Sequence, residues 1–315
     1  MSPIKLGISA CLVGAKVRYD GGHSWDRFIT DTLGRHLEFV PVCPEAECGL
    51  GVPRDPMRLV GGAEAPRLLT VRTGLELTER LQTWTGRKLA ELASEDLAGF
   101  VFKGKSPSCG PARVKLYNDQ GRIAGRGAGL FARACMQQFP LLPVADESQL
   151  YDPEIRESFI ERLFFWRRWR ELLAKKPGRG DLVAFHTRHK YQLLAHSTEH
   201  YRQMGPWLAR GRELTLPQLL AGYQALALAA LQLKATASKN ANVLYHLLGY
   251  FRKQWRGTEK QEVLEAIDSY RRGELPLIAP LTLINHYVYK YQEPYLKEQT
   301  YLKPHPLELR LRNHA

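Results

Sequence analysis

Short apolar runs alternate with amphipathic segments along the first half of the chain, and this alternation limits the possible folds more than any other feature. Four runs have the length and composition of β-strands: 5–10, 37–42, 97–102 and the shorter 142–145. Three segments between them have helical spacing: 26–35, 77–95 and 127–138. The pattern predicts an α/β domain over residues 1–150, with a Rossmann-like parallel sheet covered by helices. Turn residues within 117–123 predict an added hairpin near the third strand.

The second half of the chain has helical spacing and no segment typical of a strand. An Asp-Pro pair opens a helix over 152–174, and a Lys-, Pro- and Gly-rich break follows at 175–181. Five further helical runs are present: 182–203, 216–236, 239–256, 259–272 and 276–293. We therefore predict a connecting helix and linker over 151–180 and an all-α helical domain over 181–315. We expect the connecting helix to pack on the sheet domain through its aromatic residues: Phe159, Trp166 and Trp169.

Positive charge is concentrated in the second half. Residues 1–150 hold 19 Lys and Arg against 16 Asp and Glu, whereas residues 151–315 hold 26 against 16, a balance of +10. Such a balance is typical of a domain that binds a polyanion, and nucleic acid is the first candidate. A cationic surface that is only solvated has the same composition. Our candidates for RNA contact are Arg188, His189, Lys190, Tyr191, Lys234, Lys239, Arg252, Lys253 and Lys290.

Histidines also gather in this half, and two of them have the spacing of a zinc pair on a helix. His196 and His200 are four residues apart, but no glutamate completes an H-E-x-x-H motif. We therefore expect solvated or RNA-facing histidines here, not a metal site.

The five cysteines are best interpreted through the compartment. The first residues lack the apolar run of a secretory signal, and no window approaches the ~18 apolar residues of a membrane-spanning helix, so we expect a cytoplasmic protein. Disulfides are rare in that reducing compartment. The cysteines are then left for metal binding, catalysis or burial.

Three of the cysteines each follow a predicted strand. Parallel strands end at one edge of the sheet, so Cys11, Cys43 and Cys109 are expected to meet there. Three thiolates leave one coordination position open, as catalytic metals require, and the spacing permits either zinc or an iron–sulfur cluster. Cys48 could be a fourth ligand, although we favour incidental placement. Cys135 lies on a predicted helix and is most simply a core thiol.

Polar residues flank these cysteines as they would flank a site. Glu45 lies within reach of any ligand that Cys43 holds, and two serines, Ser106 and Ser108, stand beside Cys109. Lys103 and Lys105 add positive charge near Cys109, from which we expect a lowered thiol pKa.

Three blocks of the first half resemble the TudS-like thiouracil desulfidases: SACLVGAKVRYDG (9–21), PVCPEAECGLGVPRDPMRLV (41–60) and KGKSPSCG (103–110). Two blocks of the second half resemble the YbgA-like helical domain: LVAFHTRHKYQLLAHS (182–197) and HYVYKYQEPYL (286–296). The resemblance implies the fusion of both domains that removes sulfur from 4-thiouridine in tRNA.

The resemblance also implies a cofactor and a set of site residues. It implies an oxygen-sensitive 4Fe-4S cluster with three cysteine ligands, at Cys11, Cys43 and Cys109, and one open iron that binds the substrate's sulfur. The family's carboxylate and serine correspond to Glu45 and Ser106 of this sequence.

The reaction expected from this resemblance is hydrolytic cleavage of a C=S bond without net redox change. Glu45 is the candidate general base on the attacking water, with Asp20 as the alternative, and Ser106 orients the base or relays a proton. Uridine and hydrosulfide are the products. Two alternatives stay open, namely a desulfidase of free thiouracil or thiouridine and a non-catalytic, metal-stabilised RNA-binding protein.

Overall fold

The computed structural model describes residues 4–306 and residue 312. Its strands are β1 (Ile4–Ser9), β2 (Leu37–Val42), β3 (Met57–Val60), β4 (Arg67–Thr70), β5 (Gly99–Phe102), β6 (Val114–Tyr117), β7 (Ile123–Gly127) and β8 (Val144–Asp146). Its helices are α1 (Thr78–Ser94), α2 (Leu130–Gln138), α3 (Pro153–Ala174), α4 (Arg179–His196), α5 (Thr198–Ala209), α6 (Leu216–Gln232), α7 (Ala237–Leu248), α8 (Glu259–Arg271), α9 (Ile278–Lys290) and α10 (Pro294–Lys297). The chain divides into two compact units between Phe159 and Ile160, inside α3.

A parallel sheet with the order β2-β1-β5-β8 forms the centre of the first unit. Its middle strands contribute fully buried side chains, and Phe131 of α2 packs on Phe100 with ring centroids 5.9 Å apart. Only glycine fits at position 7 of β1, because a Cβ there would lie 2.3 Å from the Phe100 ring. The connection reverses direction between β1 and β5, and such a switch point opens a ligand crevice at the carboxyl ends of the strands.

A second sheet, β4-β3-β6-β7, lies in the same unit, and sequence reasoning missed half of it. The hairpin predicted at 117–123 is confirmed as the β6–β7 pair, closed by a hydrogen bond from Gly121 N to Asn118 O of 2.9 Å. Strands β3 and β4 were not predicted. Each has only four residues, although Leu59 and Leu68 are fully buried.

The second unit is helical throughout its described part, so the prediction of a parallel-sheet domain followed by an all-α domain is confirmed. One run predicted as a single helix forms two helices. The run predicted over 182–203 is broken at Ser197, whose extended backbone ends α4 while its hydroxyl accepts a hydrogen bond from His200 N to begin α5. No helix in the described part of the chain is long and apolar enough to cross a membrane.

The packing expected of the connecting helix is wrong for Trp169. Its ring contacts Phe185 and Tyr223 at centroid distances of 5.3 and 5.5 Å, and its indole N–H donates to Gln224 at 2.6 Å. Trp169 therefore belongs to the core of the helical unit.

Candidate metal centre

A cleft of about 380 Å³ lies where β1, β2 and β5 end, and the three strand-end cysteines all line it. Cys11 is in a helical turn directly after β1, Cys43 is the first residue after β2, and Cys109 is in the loop after β5. Cys11 and Cys109 are buried, and Cys43 is half-buried. The convergence predicted from the strand ends is therefore present in the fold.

The Cys109 loop is fixed by the first turn of α2. The backbone N–H of Leu130 donates to Pro107 O at 3.1 Å, and that of Phe131 donates to Ser108 O at 3.0 Å. These amides have no partner inside the helix, so the loop carbonyls satisfy them. Gly129 permits the close approach, since a Cβ there would lie 2.6 Å from the Ser108 carbonyl. The loop conformation thus follows from the helix start.

Glu45 lies at the cleft with each carboxylate oxygen bound by a different group. Oε2 accepts from Arg54 Nε at 3.0 Å and also from Arg54 Nη2, in a pair whose side chains are 13% and 6% exposed. Oε1 accepts from Ser108 Oγ at 2.6 Å, with Ser106 Oγ at 3.4 Å. The first interaction holds the carboxylate in place, and the second connects it to the Cys109 loop.

The two serines form a chain of hydroxyls toward Glu45. Ser106 Oγ accepts from the backbone N–H of Cys109 at 3.1 Å and lies 3.0 Å from Ser108 Oγ. Ser108 is fully buried, whereas Ser106 is half-buried at the cleft. Hydrogen bonds through Ser106 and Ser108 therefore connect Glu45 with the cleft.

Asp20, the alternative base, does not line the cleft. Its Oδ1 accepts from Gly22 N at 3.0 Å and from Arg18 Nε at 3.4 Å, and these hydrogen bonds lower the pKa of Asp20. The geometry favours Glu45.

Burial is the main influence on the pKa of each of the three thiols in the cleft. It raises the pKa of Cys11 to about 11, with a smaller contribution from Cys43, and it also raises the pKa of Cys43 and of Cys109. The expectation that neighbouring lysines lower the thiol pKa of Cys109 is wrong, since burial dominates there and Lys103 is paired with Glu147. Three neutral thiols become three thiolates only beside a strong cationic centre.

The donor set fits a metal cluster better than one small ion. Thiolates are the ligands preferred by zinc and by iron–sulfur clusters. In a tetrahedral zinc site with Zn–S of ~2.3 Å, the sulfurs lie roughly 3.8 Å apart. The sulfur atoms of Cys11, Cys43 and Cys109 lie further apart than this, since at least one pair of them is separated by more than 4.8 Å. The cleft that the three cysteines line has a volume of about 380 Å³, which has room for a group larger than one ion. The residues present therefore fit a 4Fe-4S cluster.

The two remaining cysteines lie outside the cleft lining. Cys48 donates to Glu45 O at 3.4 Å and packs against the core of the sheet unit. Cys135 is fully buried in α2, and burial raises its pKa to about 12. These positions agree with the incidental placement expected for Cys48 and with the core position expected for Cys135.

The candidate RNA contacts of the helical unit do not form one surface. His189 is 2% exposed and stacks on Phe185 at 3.9 Å, so its assignment as an RNA contact is wrong: the ring is core. Lys290 is exposed but ion-paired with Glu259 at 2.5 Å. Arg188 and Lys234 are exposed. Four others line two cavities of this unit: Tyr191, Lys239, Arg252 and Lys253. Lys190 lies beside them, with Nζ 4.8 Å from the Tyr191 ring.

The expectation of a solvated or RNA-facing histidine is also wrong for His196. The side chain is 1% exposed, with Nε2 at 2.9 Å from Glu161 and Nδ1 at 2.7 Å from Leu233 O. Both ring nitrogens are thus occupied, which leaves neither for a metal ion.

Sequence reasoning missed the roles of Ser108 and Arg54. The structure makes Arg54 the ion-pair partner of Glu45. Ser108 stood in the same quoted block as Ser106, yet only burial distinguishes the two hydroxyls. No spacing rule in the sequence identifies which serine reaches the carboxylate.

Comparisons with known proteins agree with the two-part architecture. Residues 6–147 match the model of the 2-thiouracil desulfurase family, and residues 190–306 match a family described as protein of unknown function DUF1722. The chain is 36% identical over 158 residues to YbgA, an uncharacterized protein of Escherichia coli strain K12, covering 50% of this chain and 94% of YbgA.

Two further relatives each match part of the chain. The uncharacterized protein YbbK of Bacillus subtilis strain 168 is 28% identical over 138 residues, covering 41% of this chain and 88% of YbbK. Among solved structures, the 4Fe-4S-dependent thiouracil desulfidase TudS is 29% identical, with a TM-score of 0.38. That match covers 47% of this chain and 94% of TudS.

Proposed function

The chain belongs to the family that joins a 2-thiouracil desulfurase domain to a YbgA-like helical domain, and from this premise we propose that it is an iron–sulfur-dependent tRNA thiouridine desulfidase. It converts 4-thiouridine in tRNA to uridine by hydrolysis of the C=S bond. The observation that carries the proposal is the cleft itself, where three cysteines and the carboxylate of Glu45 meet.

Cys11, Cys43 and Cys109 hold the cluster. When bound, the cluster supplies a soft Lewis acid that polarises a thiocarbonyl. Glu45 takes a proton from the water that attacks the ring carbon, because Oε1 is the oxygen not occupied by Arg54. The overall change is balanced: water provides the carbonyl oxygen, one of its protons leaves with the sulfur as hydrosulfide, and the other is released to solvent. No electron donor is needed.

Arg54 and the two serines prepare the base for this step. Arg54 orients the carboxylate through two donors on one oxygen. Ser108 orients Oε1, and Ser106 provides the route by which the proton leaves toward the cleft. Each group acts on the proton or on the position of Glu45.

The polymeric substrate is supported by charge. The residues after 150 carry a net charge of +10. Binding of a phosphodiester backbone requires positive charge on the protein, whereas binding of an uncharged free nucleobase does not. The helical domain then binds tRNA, and the sheet domain performs the chemistry. A free-base desulfidase is the competing outcome, since a cleft of about 380 Å³ also admits a single base.

The test compares hydrosulfide release from three substrates by the anaerobically purified full-length protein. We expect kcat/KM on 4-thiouridine-containing tRNA to exceed that on free 4-thiouridine and on 4-thiouracil. Equal or higher kcat/KM on 4-thiouracil would make the protein a free-base enzyme. Iron-loaded protein that releases no hydrosulfide from any of them would leave only a metal-stabilised RNA-binding role.

A further inference from the structure

Two adjoining cavities of the helical unit share one wall. The first, of about 640 Å³, is lined by residues from α4, α5 and α7, and the second, of about 520 Å³, lies where α7 ends. Tyr191 and His246 line both. We call this continuous depression the α4–α7 groove. Each cavity has the volume of ordinary small-ligand pockets, ~300–1,000 Å³.

The groove is lined by cationic side chains and by no acidic ones. Among the residues that line it, all of them described, none is Asp or Glu. Arg202, Arg252 and Lys253 are exposed, and none of the three has a side-chain hydrogen bond or ion pair with a described residue. Lys239 adds a fourth charge, fixed by donation to His196 O at 2.8 Å and Lys234 O at 2.9 Å. Such free cations are available for anionic groups.

Aromatic rings accompany the cations. Tyr250 of the second cavity stacks on Tyr295 with ring centroids 5.1 Å apart and planes 8° apart, and its hydroxyl accepts from Tyr191 at 3.0 Å. His246 is an exposed ring at the shared wall. Cations beside an exposed ring are the elements with which proteins bind unpaired nucleotides, through phosphate contacts and base stacking.

We propose that the α4–α7 groove binds an unpaired stretch of RNA, with phosphates on Arg252 and Lys253 and a base on His246. The inference rests on the proposed function, and it adds the place and the form in which the RNA is bound. An unpaired strand is the occupant because stacking requires bases with a free face, which a duplex does not offer. An acidic peptide would satisfy the charges but not the rings.

The test measures binding of fluorescein-labelled hexauridylate to the full-length protein by anisotropy across a salt series. Each contact with a single strand contributes ~0.7 to the slope of log K against log salt. The double variant Arg252→Ala/Lys253→Ala should therefore lower the slope by about 1.4. The matched control Lys260→Ala/Arg271→Ala removes the same charge from α8, which does not line the groove, and should bind as the wild type does.

A second variant tests the ring. His246 is exposed, so His246→Ala keeps the fold, and the loss of stacking should weaken hexauridylate binding by about fivefold or more. Binding of a duplex RNA should change much less.

Three results would overturn the proposal. They are equal binding by the groove and control double variants, equal effects of His246→Ala on duplex and hexauridylate, and displacement of hexauridylate by hexaglutamate at comparable concentration. The last would assign the groove to an acidic protein segment. Hexauridylate contains no sulfur and is not turned over, so failure here leaves the desulfidase proposal standing. A protein inactive on tRNA that still binds hexauridylate through the groove would overturn only the proposed function.

Discussion

At the scale of residues, the two oxygens of Glu45 have separate tasks. Arg54 binds Oε2 from two nitrogens, whereas Oε1 accepts from Ser108 and lies near Ser106. In the proposed mechanism Oε1 is therefore the basic atom, because Arg54 binds only Oε2. The sequence could identify the cysteines because each follows a predicted strand, and Glu45 because it lies two residues after Cys43 in a block that resembles the desulfidase family. It could not identify the orienting serine, since that depends on the burial of Ser108.

The first prediction separates chemistry from cluster assembly. Glu45→Gln keeps an oxygen for Arg54 but removes the base, so we expect unchanged iron content with a loss of kcat of ~10²-fold or more. Hydrosulfide release and iron content are measured on the same preparation. Asp20→Asn is the control and should keep wild-type turnover. A slow Asp20→Asn with a normal Glu45→Gln would reassign the base.

The second prediction concerns the ligands. Replacement of Cys11, Cys43 or Cys109 by Ala should each abolish iron loading, because each removes one of three thiolates of a single cleft. Cys48→Ala is the matched control from the same part of the chain and should retain full iron per chain by elemental analysis. Normal iron in any of the first three variants would contradict the assignment.

At the scale of elements, the sequence predicts which residues share one face of a helix, but it does not predict which other element that face packs against. Trp169 has the spacing of an amphipathic helix, yet which core receives it depends on Phe185 and Tyr223, which lie further along the chain. Strands β3 and β4 escaped prediction for a related reason. Each is four residues long, and their sheet is completed only by the pairing of β3 with the distant β6.

The buried end of α3 carries the third prediction. Glu161 is 4% exposed and accepts from Arg312 Nη2 at 2.6 Å, with His196 Nε2 at 2.9 Å. Glu161→Gln removes the negative charge that faces the buried Arg312 guanidinium, so we expect a loss of about 3 kcal/mol or more in the free energy of unfolding. Glu171→Gln on the same helix breaks a part-exposed pair with Arg167 and should cost under about 1 kcal/mol. Equal losses in urea unfolding would contradict this.

The same carboxylate sets a pH dependence. Burial raises the pKa of Glu161, but the charge of Arg312 and the His196 hydrogen bond outweigh it and hold that pKa well below its usual range. A depressed folded-state pKa stabilises the protein above the unfolded carboxyl value of ~4.3. That contribution is lost as pH falls below this value, and Glu161→Gln should remove it.

At the scale of the whole molecule, one chain combines a cleft for sulfur chemistry with a cationic helical domain. The formal charge is +13, and the residues after 150 supply +10 of it. Composition alone therefore predicted a polyanionic partner, but not the place where it binds. The cations that line the α4–α7 groove are separated along the chain from Arg202 to Lys253, and only the helical packing brings them together.

The most direct test of the central claim is nucleoside analysis of bulk tRNA incubated anaerobically with the full-length protein in ¹⁸O-labelled water. Hydrolysis of the C=S bond places a solvent oxygen on the ring. We predict that 4-thiouridine disappears, that an equal amount of ¹⁸O-labelled uridine appears, and that hydrosulfide is released in the same amount, with Glu45→Gln as the inactive control. Unchanged 4-thiouridine in tRNA, or uridine formed without the label, would contradict the account.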